Sequence, residues 1–470
     1  MRRTQTSRTQ AEASPDPTMR APSAIEDQLP KLVTPVPGPR SRRLARLLKR
    51  HEAPTVTYVS EKTPIFWERA ADANVWDVDG NRFVDLVSAF GVASLGHACP
   101  AVMRAVRRQA RRLPHAMGDV HPAAQKARLC RRLSELTFAR WTGGQQRGQT
   151  LLGNSGFEAV EAAIKTARLH TRRRGVIAFE GSYHGLGYGA LEATSRREFR
   201  EPFADQLGRF AAFAPYPRKK FPARDEAEEA RQLRFVEERL HALAASGEFG
   251  AVLVEPVQGR GGEVVPPPGF LPMLRDFCDR RGMLLLVDEI YCGLWRTGRW
   301  FAVEHSGVVP DVICLGKALT GCLPLSACIG KSNVMAAWPE SSGEAIHTST
   351  FLGNPLACAA ALAALKAFEE VAPALQLMEN GAELLAALRA RLDGVRGIRD
   401  VRGIGYLFAI EMDADAGVSP ADLCDRLLAQ GVIAIPSGPK NEALALAPPL
   451  VAPRALLEAC FARVAAAIRQ

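Results

Sequence analysis

No apolar run in the 470-residue sequence approaches the roughly 20 residues that a membrane-crossing helix needs. The best candidates, such as "ACAAALAALKAF", are short or interrupted by charge, so no membrane span is expected. The basic start is not followed by an apolar segment, so no signal peptide is expected either. Ten cysteines are scattered without a C-x-x-C pair or a regular framework. They read as reduced thiols of a cytoplasmic protein, and no metal site is expected. Internal repeats are also missing, which sets aside solenoids and arrays.

The net charge of +10 invites a nucleic-acid reading, but its distribution argues against one. The first fifty residues carry 11 Lys or Arg against 4 Asp or Glu, so the remaining 420 residues are close to neutral. Residues 1–50 are therefore expected to be a basic, disordered tail, with nothing to bury in "MRRTQTSRTQAEASPDPTMRAPS". Its arginine and serine content resembles a transit peptide, against which Glu12 and Asp16 count. "SRRLARLLKR" has the pattern of a short amphipathic helix lying on the body. Neither a nucleic-acid nor a membrane partner is expected.

From about residue 55 the pattern becomes globular, and the length calls for more than one core. "NVWDVDGNRFVDLVS" alternates around Asp-Gly and reads as a β-hairpin. "PAVMRAVRRQARRL" has helical period. Apolar runs "GVIAFE", "AVLVEP", "MLLLVDE" and "DVICLGK" then alternate with helical stretches such as "EAVEAAIKTARLHTRR". That is the mark of βαβ units around a mostly parallel sheet. The last hundred residues read as a smaller α+β unit. The expected division is a segment 51–100 contributing to the small domain, a large domain 101–365 and a small domain 366–470.

The four apolar runs end in Glu180, Glu255, Asp288 and Lys317. In open α/β sheets, ligands sit beyond the C-terminal ends of the strands. Taken alone, Lys317 is a strand-end lysine reaching solvent, the commoner fate of a lysine. Beside it, Asp288 closes an otherwise apolar strand, where a carboxylate needs a partner. A desolvated lysine can form a Schiff base, and an acid can keep a pyridine nitrogen protonated, which is what pyridoxal phosphate requires. "LLGNSGFEAVEAAIKTAR" adds a helix start, with Ser155 as cap and Glu158 three residues on. That is a capping box and equally a seat for a phosphate. "GSYHGLGYG" offers Tyr183 and His184 as faces for a ring.

On these residues the chain resembles class III (ornithine/GABA-type) aminotransferases of pyridoxal-phosphate fold type I, over about residues 55–470. The motifs are "GHACP", "GNSGFEAVEAAIKTAR", "SYHG", "VEPVQG", "LVDEIYCGLWRTGRW", "ICLGKALTGCLPLSACIG", "HTSTFLGNPLACAAALA" and "VRGIGYLFAIEM". The resemblance implies an α/β fold, with a large domain on a mostly parallel sheet and a smaller α+β domain. It implies a transaminase moving an amino group between an amine or amino acid and an oxo acid, with pyridoxal phosphate as cofactor.

The same resemblance assigns residues. Lys317 matches the Schiff-base lysine and Asp288 the acid facing the ring nitrogen. Ser155, Gly156 and Phe157 match the phosphate loop, Tyr183 the stacked aromatic, and His184 its neighbour. Glu255 matches an acid near the site, and Tyr291 stands beside the ring oxygen where many members carry Gln. Thr350 matches a threonine that reaches the neighbouring subunit's phosphate, which implies a homodimer with shared sites. Arg402 matches the arginine that holds a substrate carboxylate. Leu186 and Arg260 depart from the ornithine and GABA enzymes, which carry Arg and Glu there. With no acid at position 260, Arg402 is expected to stand free. Other pyridoxal-phosphate reactions share this fold. A catalytically dead scaffold is the second alternative, and the intact Lys317 and Asp288 speak against it.

Overall fold

Fifteen strands form three sheets in the computed structural model, which describes residues 25–219 and 226–470. Near the N-terminus lie β1 (Trp67–Ala71), β2 (Asn74–Asp77) and β3 (Arg82–Asp85). The middle of the chain supplies β4 (Gly148–Gly153), β5 (Gly175–Phe179), β6 (Ala211–Ala214), β7 (Phe249–Val254), β8 (Leu284–Asp288), β9 (Val312–Leu315) and β10 (Ser326–Lys331). The last part supplies β11 (Ile398–Ile404), β12 (Leu407–Met412), β13 (Val432–Ile433), β14 (Ile435–Ser437) and β15 (Ala443–Leu446).

The central sheet has the order β4-β10-β9-β8-β7-β5-β6. Only β10 runs antiparallel to its neighbours, so the sheet is mostly parallel, as the alternating pattern predicts. Its middle strands are buried throughout, because helices cover both faces. Ile177, Phe179, Val252, Val254, Leu285 and Val287 enter one core cluster. The alternate residues Val176, Ala178, Ala251, Leu253, Leu284 and Leu286 enter the other. Each of the valine, leucine, isoleucine and phenylalanine side chains contributes roughly 1.5–3 kcal/mol by leaving water, and the alanines less.

The hairpin read around Asp-Gly forms, with β2 antiparallel to β3. Its sheet is completed from far along the chain, since β13 pairs in parallel with β3. An antiparallel sheet β11-β12-β15-β14 makes up the C-terminal part. The boundary expected at residue 365 falls inside the continuous helix Pro355–Val371, whose apolar residues Ala364, Leu365, Ala367 and Phe368 stay buried across it.

The expected tail is corrected in its second half. Residues 1–24 lie outside the described residues. From residue 25 the chain has defined structure: Lys31 exchanges two backbone hydrogen bonds with Arg82, and Pro39–His51 is a helix. The physical reason is a cap supplied from elsewhere. Arg40 N–H donates to Asp79 Oδ1 (2.7 Å) and Ser41 N–H to Asp79 Oδ2 (2.9 Å). Gly38 makes room for it, because a Cβ there would lie 2.3 Å from the Asp79 carboxyl carbon. Asp79 belongs to the Asp-Gly turn, so the hairpin and the basic helix are fastened together.

Candidate active site

The C-terminal ends of β7, β8 and β9 open into a cavity of about 590 Å³, within the usual size of a small-molecule site. Its walls include Lys317, Asp288, Glu255, His184, Tyr183 and Tyr291. A groove of about 680 Å³ between helices Pro100–Ala110 and Pro355–Val371 is lined by arginines and small residues and lies apart from these groups.

Lys317 follows β9 after Gly316 and begins a short 3-10 turn. Its φ is +43°, a conformation that costs a side-chain-bearing residue energy and persists only where surroundings enforce it. Burial pushes its ammonium below the usual lysine range, against the raising pull of Asp288 and Glu255. Its Nζ stands 5.2 Å from the centre of the Tyr291 ring.

Asp288 ends β8, the strand beside β9. Its Oδ1 accepts from Ile290 N–H (3.0 Å), and its Oδ2 lies 2.8 Å from His184 Nδ1. His184 Nε2 is buried with no hydrogen-bond partner among the described residues. Glu255, at the end of β7, accepts from Tyr183 N–H and from Gly259 N–H, both at 3.0 Å. It thereby ties the Tyr183 loop to the turn after β7. Burial raises its carboxyl to about 6, with His184 opposing and Asp288 adding to the rise.

Gly156 and Phe157 line the cavity at the start of helix Gly156–Thr171, where first-turn N–H groups have no intrahelical acceptor. Ser155 does not line it. Its own N–H donates to Glu158 Oε2 (2.8 Å), which holds the turn in shape. Tyr291 lies against Gly259, where a Cβ would come within 2.5 Å of the ring. Its hydroxyl donates to Glu263 Oε1 (3.4 Å), so it is directed at a protein carboxyl.

Besides Ser155, two residues of the expected set do not line this cavity. Thr350 is exposed and outside the cavity wall. Arg402, on β11, also does not line the cavity, and it is 1% exposed. Its Nη1 donates to Asp400 Oδ2 (2.9 Å) and Glu411 Oε2 (2.7 Å), while Nε (2.9 Å) and Nη2 (2.5 Å) donate to the Gly262 carbonyl. The expectation that Arg402 stands free is therefore corrected: every nitrogen of its guanidinium is engaged.

The sequence reading passed over several wall residues, namely Phe90, Glu263, Ile290, Ile435 and Ser437. Glu263 carried a legible signal, an acid directly after the glycine-rich turn "QGRGG". It is 2% exposed, its φ is +48°, and its Oε2 is buried without a partner. Burial raises its carboxyl to about 8, although Arg402, Ser437, Tyr291 and Arg260 all pull it down.

The donor set fits pyridoxal phosphate. A desolvated amine and a fixed carboxylate share one cavity, an aromatic residue lines it, a helix start opens onto it, and His184 Nε2 lacks a partner there. Comparison with known proteins agrees. The family model described as Aminotransferase class-III matches residues 56–468. The 4-aminobutyrate aminotransferase of Mycobacterium leprae is 35% identical over 438 residues, covering 90% of this chain and 94% of that one. The acetylornithine aminotransferase of Methanopyrus kandleri is 37% identical, covering 84% and 92%. Among solved structures, an ornithine aminotransferase from Toxoplasma gondii, described with partial occupancy of PLP at its active site, superposes with a TM-score of 0.77. It shares 30% identity and covers 91% of this chain and 94% of that one.

Proposed function

The chain belongs to the class-III aminotransferases and is a pyridoxal-phosphate-dependent transaminase of fold type I, and from that membership we propose that Lys317 and Asp288 carry its chemistry. The observation that carries this reading is their placement at the ends of adjacent parallel strands, facing one cavity. Bound pyridoxal phosphate supplies an aldehyde that takes up an amino group and a ring that accepts electrons.

The chain's own groups divide the remaining work. The Lys317 amine, lowered by burial, moves the proton at the reacting carbon of the substrate as base and then acid. Asp288 presents a fixed negative charge, held in orientation by His184 and Ile290 N–H. Gly156 and Phe157 offer helix-start N–H groups to a phosphate; Phe157 contributes no side-chain hydroxyl. Tyr183 supplies a ring face, and Glu255 positions its loop. Amino donors and oxo acids are the substrates. The relatives are named for 4-aminobutyrate and acetylornithine, so a donor bearing a carboxylate is the reading we favour.

A homodimer with shared sites is supported by one surface. Segments around 113–120 and 346–354 are joined by Thr348 Oγ1 donating to Asp119 Oδ2 (2.7 Å) and by the His115 and Phe351 rings. This surface exposes Leu113, Met117, Val120, Ile346 and Phe351 around Thr350, and apolar exposure of this kind marks an interface. A cytoplasmic location is supported by ten free cysteines; among the described residues no helix is long and apolar enough to cross a membrane. Division into a large cofactor-binding domain and a smaller C-terminal one is supported by the separate sheets within 148–331 and 398–446. The direct test of the reaction is an amine and oxo-acid panel read by the cofactor's absorption. Spectra that no amine changes would overturn it.

A further inference from the structure

We propose that Arg260, not Arg402, is the residue that receives the substrate carboxylate, and that Arg402 is a fixed strut holding the turn that carries Arg260. The inference rests on the transaminase reading for the identity of the cavity.

Among the described residues, the wall of the cavity contains one arginine, Arg260. Its guanidinium carbon stands 5.6 Å from the centre of the Tyr183 ring, and its Nε is buried with no hydrogen-bond partner among the described residues. The charge of Arg260 acts on Lys317, Tyr183, Tyr291 and Glu263, which places it among the groups that would surround a substrate. A planar guanidinium with free donors, near an aromatic face and inside a partly dry cavity, suits a carboxylate. Phe90, Leu186 and Ile435 supply apolar wall for a substrate's carbon chain.

The nearby acid does not use up this charge. Glu263 lies three residues on, and its carboxyl is held up at about 8 by burial, so near neutral pH it carries a proton. In that state it leaves Arg260 unbalanced, and its partnerless Oε2 adds a second polar contact to the same wall.

Arg402 acts on the turn from behind. Its two donors to the Gly262 carbonyl fix a position two residues from Arg260. The Arg260 carbonyl is itself held by Gly438 N–H (3.1 Å) and Arg196 Nη2 (3.4 Å). The turn is therefore rigid while the Arg260 side chain keeps its donors.

The test uses holoenzyme and three probes: butanoate, which has a carboxylate and no amine; 4-aminobutanoate, which has both; and butylamine, which has only the amine. For Arg260→Gln, calorimetry should show butanoate affinity falling about 10- to 100-fold, the scale of a lost charge-assisted pair. The KM for 4-aminobutanoate should rise by a similar factor, butylamine turnover should change far less, and Arg260→Lys should recover part of the loss. Unchanged butanoate affinity, an equal loss on butylamine, or no saturable butanoate binding by the wild type overturns the proposal. Failure of the transaminase reading looks different: neither amine changes the wild-type cofactor spectrum, while butanoate binding still reports on Arg260.

Discussion

Arg402 Nη1 lies 2.7 Å from Glu411 Oε2, with the two residues 1% and 3% exposed, and the same carboxylate oxygen is 2.7 Å from Arg218 Nη1. A buried ion pair of this kind stands on mutual neutralisation, and removing one partner strands the other. The pair joins β11 to β12 and, through the Gly262 carbonyl, braces the turn over the cavity. It therefore links the C-terminal sheet to the site without Arg402 entering the cavity wall.

For that reason Arg402→Ala is expected to act on stability. Loss of the guanidinium removes a buried partner of Asp400 and of Glu411, but Glu411 keeps Arg218, so the cost is roughly 1–3 kcal/mol. A thermal melt should show a fall in Tm. A variant with unchanged Tm and a KM effect confined to carboxylate substrates would restore Arg402 to the substrate site.

Lys317→Ala is expected to abolish transamination while leaving the fold intact. Borohydride treatment of the wild type should fix the cofactor's mass to the peptide containing Lys317, as read by mass spectrometry. Labelling of a different lysine would contradict the assignment.

Glu263 sets a pH dependence of stability with a definite sign. Its folded carboxyl is raised to about 8, whereas an unfolded glutamate titrates near 4.3. Between those values the folded chain holds the proton that the unfolded chain has released. Stability therefore falls as pH rises from about 4.5 to about 8 and levels off above. Glu263→Gln removes this slope and should stabilise the protein by a few kcal/mol at most at pH 8, with much less effect at pH 5. Denaturant titrations at the two pH values measure the difference; an equal shift at both would refute it.

Asp79→Ala should release the helix Pro39–His51 at a cost of about 1–2 kcal/mol, the scale of a lost cap. Burial works to raise the Asp79 carboxyl, but hydrogen bonds from Ser41 and Arg40 outweigh it and hold it below the usual range. Its contribution is therefore present above about pH 4 and lost as pH falls through the lowered value. Deleting residues 1–24 should leave activity and Tm unchanged, whereas deleting residues 1–51 should lower Tm.

If Thr350 completes a partner's site, light scattering should give twice the chain mass. Mixing inactive Lys317→Ala with Thr350→Ala subunits should then give hybrids with altered cofactor retention. Full activity at the mass of one chain would exclude shared sites.

The sequence by itself determined that strands alternate with helices around a mostly parallel sheet and that Lys317 and Asp288 close two of those strands. Apolar runs and turn residues are local signals, and a polar residue closing such a run is visible wherever the run ends. Tyr183, Glu255 and Gly156 were legible for the same reason. The tertiary structure alone decided which arginine is free. Arg402 is consumed by a carbonyl 140 positions away and a carboxylate on the next strand, and no window of sequence shows that pairing. The amphipathic helix in the basic N-terminal segment was legible, but what fastens it was not, because its cap comes from Asp79, 39 positions beyond Arg40. Burial settles both cases: a charge's fate depends on which groups share its desolvated surroundings, and folding brings those groups from distant parts of the chain.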